Sequence, residues 1–220
     1  MLSRRKCKLK FDFSTVKEYN TYNAVRGLAK TVCKKRWKIT YLGQENIPEN
    51  GGFIIACNHQ DALDPLVIAN GCPRVIHFMA KEELFKNGLV ARFLKRLNAF
   101  PVVRGSGDMS AVNYAIDIVK NGWVLGIFPE GTRSKDYTPM RAKSGAALIA
   151  KQSQADVLPV SIYTDEQYKK GTRLTVRFGK IIKYEELGFV EEHSPKELRA
   201  ASKRIMGDIV ALWEEGHCEK

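Results

Sequence analysis

Five short apolar runs, at residues 53–57, 75–79, 124–128, 157–162 and 174–178, alternate with helix-length patterns at 65–70, 89–97, 111–121 and 144–152. Strands that alternate with helices are joined by crossovers, and the crossover helices cover both faces of the sheet. The expectation is an α/β domain with a mixed, largely parallel central sheet covered by helices. A further short strand at 39–42 comes first, followed by a turn-rich link at 43–52 that contains Pro48, Asn50, Gly51 and Gly52. Ser194-Pro195-Lys196-Glu197 has the form of a capping box and opens a final helix to about residue 215. With 220 residues, 44% of them hydrophobic, and no internal repeat or linker, the chain has enough material for one sizeable core.

Charge divides the chain where composition does not. Residues 1–38 carry twelve Lys and Arg against Asp12 and Glu18, a net of +10, whereas the remainder carries 24 basic and 22 acidic side chains, a net of +2. Residues 1–38 therefore read as a basic docking segment for an anionic surface, and 39–220 as a single α/β domain. Thr15-Val16-Lys17-Glu18 resembles a second capping box, and Val16, Tyr19, Tyr22, Val25, Leu28, Ala29 and Val32 recur at steps of three or four. The result is an amphipathic helix ending near Lys34-Lys35-Arg36-Trp37-Lys38, suited to lie in a headgroup layer. The same pattern also suits a helix packed on its own core. No apolar run reaches the roughly 20 residues that cross a bilayer, and the first residues lack the apolar segment of a signal peptide. The expected location is the cytoplasmic face of a membrane, held peripherally. Cys7, Cys33, Cys57, Cys72 and Cys218 are odd in number and form no C-x-x-C pair, which argues against a disulfide framework or a metal site.

Ligands of open α/β sheets gather at the carboxyl ends of the strands, so the residues after each run carry the functional information. After 53–57 comes Asn58-His59-Gln60-Asp61-Ala62-Leu63-Asp64-Pro65. A histidine that takes a proton from an alcohol needs one ring nitrogen free and the other held by an acceptor, and the His-x4-Asp spacing places His59 and Asp64 across a short turn. Pro65 suits a first helical position, so Asp64 also reads as the helix N-cap, and one carboxylate can serve both partners. Asp61 is a rival partner for the imidazole. Phe100-Pro101-Val102-Val103-Arg104-Gly105 ends a short run in an arginine whose fork suits a phosphate. Phe128-Pro129-Glu130-Gly131-Thr132-Arg133-Ser134 follows the run at 124–127. It offers a close backbone approach at Gly131, hydroxyls at Thr132 and Ser134, a fixed charge at Arg133, and an acceptor at Glu130.

In this order, NHQDALDP at 58–65, FPVVRG at 100–105, FPEGTRS at 128–134 and VLPVSI at 157–162 resemble the four blocks of the glycerophospholipid acyltransferases, and most of all the bacterial 1-acylglycerol-3-phosphate acyltransferases. The resemblance spans about residues 37–183, and Arg141-Ala142-Lys143-Ser144-Gly145 looks like the basic turn that precedes a helix in that family. It implies that His59 is the general base on a free glycerol hydroxyl, with Asp64 fixing its tautomer, and that the oxygen attacks an acyl thioester without an acyl-enzyme. It also implies that Arg104, Arg133 and Lys143 hold the acceptor's phosphate, Gly131 and Thr132 shape its seat, and Glu130 orients the glycerol. No resident cofactor or metal is implied; acyl-CoA or acyl carrier protein is the co-substrate. The implied partners are lysophosphatidic acid and an anionic membrane surface.

Three alternatives share some of these features: the same chemistry on glycerol 3-phosphate or another lysophospholipid, a metal-dependent hydrolase using His59, Asp61 and Asp64, and a non-enzymatic binding module for anionic surfaces. Nucleic acid is disfavoured as a partner, because the charge is concentrated in one terminal segment and no nucleic-acid-binding signature is present.

Overall fold

The computed structural model describes residues 11–14, 21–103, 108–192 and 194–218. Arg104, Gly105 and the Thr15–Glu18 box lie outside the described residues. In chain order the elements are α1 (Tyr22–Arg36), β1 (Lys38–Leu42), β2 (Phe53–Cys57), α2 (Asp64–Gly71), β3 (Ile76–Lys81), α3 (Gly88–Arg96) and β4 (Phe100–Val102). They continue with α4 (Met109–Lys120), β5 (Val124–Ile127), α5 (Gly145–Ser153), β6 (Val157–Tyr163), β7 (Arg173–Phe178) and α6 (Pro195–Glu214). Among the described residues the strands form one seven-stranded sheet in the order β1-β7-β6-β2-β5-β3-β4. Neighbours pair in parallel except β6 and β7. This is the mixed, largely parallel, helix-covered sheet expected from the alternation.

β2 lies at the centre, and its composition follows from that position. Successive side chains of a strand point to opposite faces. Ile54 and Ala56 enter a cluster with Ala115, Ile118, Ile149 and Ile205 under α4, α5 and α6, while Phe53, Ile55 and Cys57 enter a second with Val67 and Ile68 of α2. A strand covered on both sides reads as an unbroken apolar run. Gly126 on β5 permits one close approach: a Cβ there would sit 2.3 Å from a ring carbon of Phe78, so only glycine lets that ring lie across the strand.

Two local expectations are corrected. On α1, the apolar residues do not form one stripe. Tyr22 and Cys33 are buried, and Arg26 donates to the carbonyls of Cys72 (2.9 Å) and Pro73 (3.2 Å) at the end of α2, whereas Leu28 and Val32 are 69% and 54% exposed. Trp37, within the basic run that ends the helix, is core, packed edge-on to Tyr168. The helix therefore has a packing stripe and a separate exposed apolar stripe. At α6, Ser194 accepts from the Glu197 N–H as a capping box requires, but the Glu197 carboxylate accepts instead from the Glu191 N–H (3.0 Å) and Lys151 Nζ (3.0 Å). Half of the box forms, and its other half pins the preceding loop to α5.

Candidate active site

β2 and β5 are adjacent and parallel, with Ala56 opposite Ile127, so the chain leaves both strands side by side. Asn58 secures the first exit: its amide donates to the Ile162 carbonyl (3.0 Å) and accepts from the Ile162 N–H (2.8 Å) on β6. The two loops are then sewn together. The His59 N–H donates to Glu130 Oε1 (3.0 Å), and the His59 carbonyl accepts from the Ser134 N–H (2.8 Å).

The His59 ring stacks on Phe128 with centroids 3.9 Å apart and 16° between planes. Its Nδ1 lies 2.8 Å from Asp64 Oδ2. Asp64 is fully buried, and the same oxygen accepts from the N–H groups of Gln60 (2.7 Å) and Asp61 (2.9 Å), while Oδ1 accepts from the Tyr168 hydroxyl. A carboxylate whose two oxygens accept from four donors acts as a fixed acceptor. Nδ1 must then carry the hydrogen, leaving the lone pair on Nε2. Asp64 is not the N-cap of α2: Leu63 holds that position, and Asp64 is the first helical residue. The carboxylate serves backbone N–H groups behind it, at the turn that carries His59. Asp61 is not a partner of the imidazole; its Oδ1 accepts from the Leu63 N–H (2.9 Å) in a local turn.

Glu130, expected beside the substrate, is buried beneath His59 with one oxygen on that residue's N–H. Burial pushes its carboxyl up to about 7, against smaller downward pulls from the backbone N–H groups of His59 and Met140. The unfolded chain then releases this proton near pH 4.5 while the folded protein holds it to about 7. Between those values the unfolded state binds fewer protons, so stability falls as pH rises through the window and is level above it. Glu130→Gln removes that dependence. Thermal melts from pH 4.5 to 7 are expected to show a flatter Tm profile in the variant than in the parent.

The glycine after Glu130 has φ of 70°, and a Cβ on it would meet Lys143 Cδ at 3.0 Å and Nζ at 3.1 Å. Gly131 and Lys143 thus lie in direct contact, with the Lys143 N–H donating to the Pro129 carbonyl (2.8 Å). Thr132, Arg133 and Lys143 are exposed. His59 and Arg133 line one cavity of about 360 Å³ whose walls are otherwise largely apolar, from Tyr22 of α1, Leu66 of α2, Phe78 of β3 and Phe93 and Leu94 of α3. Of the residues singled out from sequence, His59, Asp64, Glu130, Gly131, Arg133 and Lys143 are thus arranged about adjoining strand ends, with Thr132 exposed between Gly131 and Arg133. β4 ends at Val102, just before Arg104. Tyr168 was missed. It lies in the polar stretch Asp165-Glu166-Gln167-Tyr168-Lys169-Lys170, which has no periodicity or motif to mark it.

The Acyltransferase family model matches residues 38–163. The 1-acyl-sn-glycerol-3-phosphate acyltransferase of Bacillus subtilis (strain 168) is 36% identical over 155 residues, covering 68% of this chain and 77% of that protein. The enzyme of the same description from Streptococcus pneumoniae is 29% identical over 205 residues, covering 88% of this chain and 74% of its own length. Among solved structures, the 1-acyl-sn-glycerophosphate (LPA) acyltransferase PlsC from Thermotoga maritima superposes with a TM-score of 0.71 at 27% identity, covering 90% of this chain and 81% of that one.

Proposed function

The chain belongs to the acyltransferase family, and we propose that it transfers an acyl group from acyl-CoA or acyl carrier protein to the free hydroxyl of 1-acylglycerol 3-phosphate, giving phosphatidic acid. The observation that carries this reading is the shared cavity: a histidine with an engaged Nδ1 and a guanidinium both line one largely apolar chamber. An acceptor made of a phosphate, a hydroxyl and a hydrocarbon chain matches that set of groups.

His59 Nε2 takes the proton as the acceptor's hydroxyl oxygen bonds to the thioester carbon. The tetrahedral intermediate collapses with cleavage of the C–S bond, and the imidazolium returns the proton to the departing thiolate. Asp64 stabilises the imidazolium between these events. Arg133 and Lys143, beside the open backbone at Gly131 and with Thr132 between Gly131 and Arg133 in the chain, hold the phosphate; Arg104, outside the described residues, is assigned to the same phosphate by its motif alone. Glu130 contributes by fixing the backbone of His59, and through it the place of the glycerol. The apolar walls receive a hydrocarbon chain, whose burial stabilises the complex by about 0.8 kcal/mol per methylene.

The test is an acceptor panel with purified protein. With either thioester donor, 1-acylglycerol 3-phosphate is expected to give kcat/KM at least about tenfold above glycerol 3-phosphate, which has no chain to bury, and above a zwitterionic lysophospholipid, whose headgroup masks the phosphate. A preference for either alternative would overturn the acceptor assignment.

The same reading places the protein peripherally on the cytoplasmic face of an anionic membrane. Leu84 and Phe93, each about half exposed at 48% and 49%, also line the cavity, so its wall continues outward into an apolar surface with Leu89, 79% exposed. Arg92, Lys95 and Arg96 share α3 with that surface, and Lys30, Lys34 and Lys35 lie on α1 beside exposed Leu28 and Val32. No helix among the described residues is long and apolar enough to cross a membrane. Apolar contact and headgroup charge act together in such docking, at about 1 kcal/mol per basic residue near the leaflet. Leu89→Asp is expected to weaken co-sedimentation with phosphatidylglycerol vesicles at least about tenfold without lowering Tm, since the side chain has little packing to lose. Binding of the parent should fall as salt is raised.

A further inference from the structure

We infer that Tyr168 is a positioning residue of the transfer reaction: its hydroxyl donates to Asp64 Oδ1 and so holds the carboxylate with Oδ2 turned to the His59 imidazole. The inference rests on the proposed role of His59 as base. Asp64 Oδ2 receives Nδ1 of His59 and two backbone N–H groups, all from within its own turn. Oδ1 receives the Tyr168 hydroxyl, from the connection between β6 and β7. Without that donor, the inner oxygen of a fully buried carboxylate loses its tether to the rest of the fold, and the charge it presents to His59 is less shared.

Several contacts fix the phenol. Its ring is buried and stands edge-on to Trp37, with centroids 5.4 Å apart. The loop that carries it is tied at its end to the start of β1: the Gly171 N–H donates to the Arg36 carbonyl (2.7 Å), and the Lys38 N–H donates to the Thr172 carbonyl (2.9 Å). Thr172 Oγ1 donates back to the Gln167 carbonyl (3.0 Å) and closes the loop. Burial, then the Asp64 charge, pushes the Tyr168 hydroxyl well above its ordinary value, so it remains a donor throughout the working pH range. The other titratable groups at this site are Cys57 and Asp61 beside Tyr168, Glu130 beneath His59, and Arg133, which lines the same cavity as His59. A hydrogen bond to a carboxylate withdraws charge from it. Removing that bond makes Asp64 hold the imidazolium more strongly, so His59 protonates at higher pH.

Tyr168→Phe in the full chain tests this. The expected results are a kcat lowered about tenfold, the scale of one hydrogen bond to a charged group, with KM for the thioester unchanged and the acid limb of the kcat/KM profile moved to higher pH. Substituting 3-fluorotyrosine at 168 retains the packing and strengthens the donor, and is expected to move the limb the opposite way. The His59 ring resonances, followed by NMR through a pH titration without substrate, read the same shifts independently of any acceptor. If neither substitution moves the His59 titration, Tyr168 is structural only and the inference fails, whatever the transferase assay gives. If the titration moves as expected but no acceptor is acylated, the proposed function fails and the Tyr168 assignment stands.

Discussion

Replacing His59 by alanine is expected to lower kcat for acyl transfer by about 10² to 10⁴, the range for loss of a positioned general base, with little change in KM for the thioester. Among the described residues, no other carboxylate is placed to take the proton. Asp64 is fully buried and faces the wrong side of the ring, Asp61 is committed to its own turn, and Glu130 is buried with one oxygen on the His59 backbone. Substrate binding is largely spared, because the imidazole is one wall element of a cavity formed mainly by α1, α2, β3 and α3. The fold is retained: the links that sew this loop to the one after β5 are the N–H and carbonyl of residue 59, which alanine keeps, and Asn58 still anchors the exit of β2. Initial rates across donor concentrations, with Tm measured on the same samples, separate loss of chemistry from loss of structure.

Asp64→Asn is expected to have an effect of at least the same size. In Ser-His-Asp enzymes the equivalent exchange lowers kcat by about 10⁴, and the proposed role of Asp64 predicts a loss of the same kind. An amide of equal shape carries no charge to stabilise the imidazolium. Its NH2 group must also replace one of two oxygens that accept, between them, from Nδ1, two backbone N–H groups and the Tyr168 hydroxyl. Whichever way the amide turns, it presents hydrogens to a donor in a buried site, at a cost of about 1–3 kcal/mol for each group left unpaired. Tm is therefore expected to fall together with kcat. Loss of the negative charge also lowers the pH at which His59 protonates, so any residual activity should have its acid limb displaced to lower pH. That displacement is opposite in sign to the one expected for Tyr168→Phe, and a general loosening of the site would not produce the pair.

The sheet was legible because its strands are buried on both faces. Runs such as 53–57 carry no polar residue, and the helices between them are set off by changes of pattern. The first and third motif blocks were legible because they follow strands that prove to be neighbours, so a sequence distance of 71 residues between His59 and Glu130 becomes a 3.0 Å hydrogen bond. What stayed hidden depends on long-range packing with no local signature. Tyr168 reaches Asp64 across 104 residues from a loop rich in charge. The antiparallel pairing of β6 with β7 leaves no mark in the strand residues themselves, which read equally well as parallel core; its signal is the short connection 164–172, which holds no helix for a parallel crossover. On α1, the 3.6-residue period identified apolar positions but could not tell that Tyr22 and Cys33 pack on the body while Leu28 and Val32 face outward. Asp64 resembled a helix cap because aspartate before proline often is one; its carboxylate turned back because three donors in the preceding turn outweigh one helical N–H.

The most direct test of the account follows thiol release and phospholipid formation together, in one reaction of the purified full chain with acyl-CoA and 1-acylglycerol 3-phosphate. One mole of phosphatidic acid for each mole of thiol, both lost in the His59→Ala variant, is the expected outcome. Thiol release that proceeds without new phospholipid, or phosphatidic acid formed at an undiminished rate by His59→Ala, would contradict direct transfer by a histidine base.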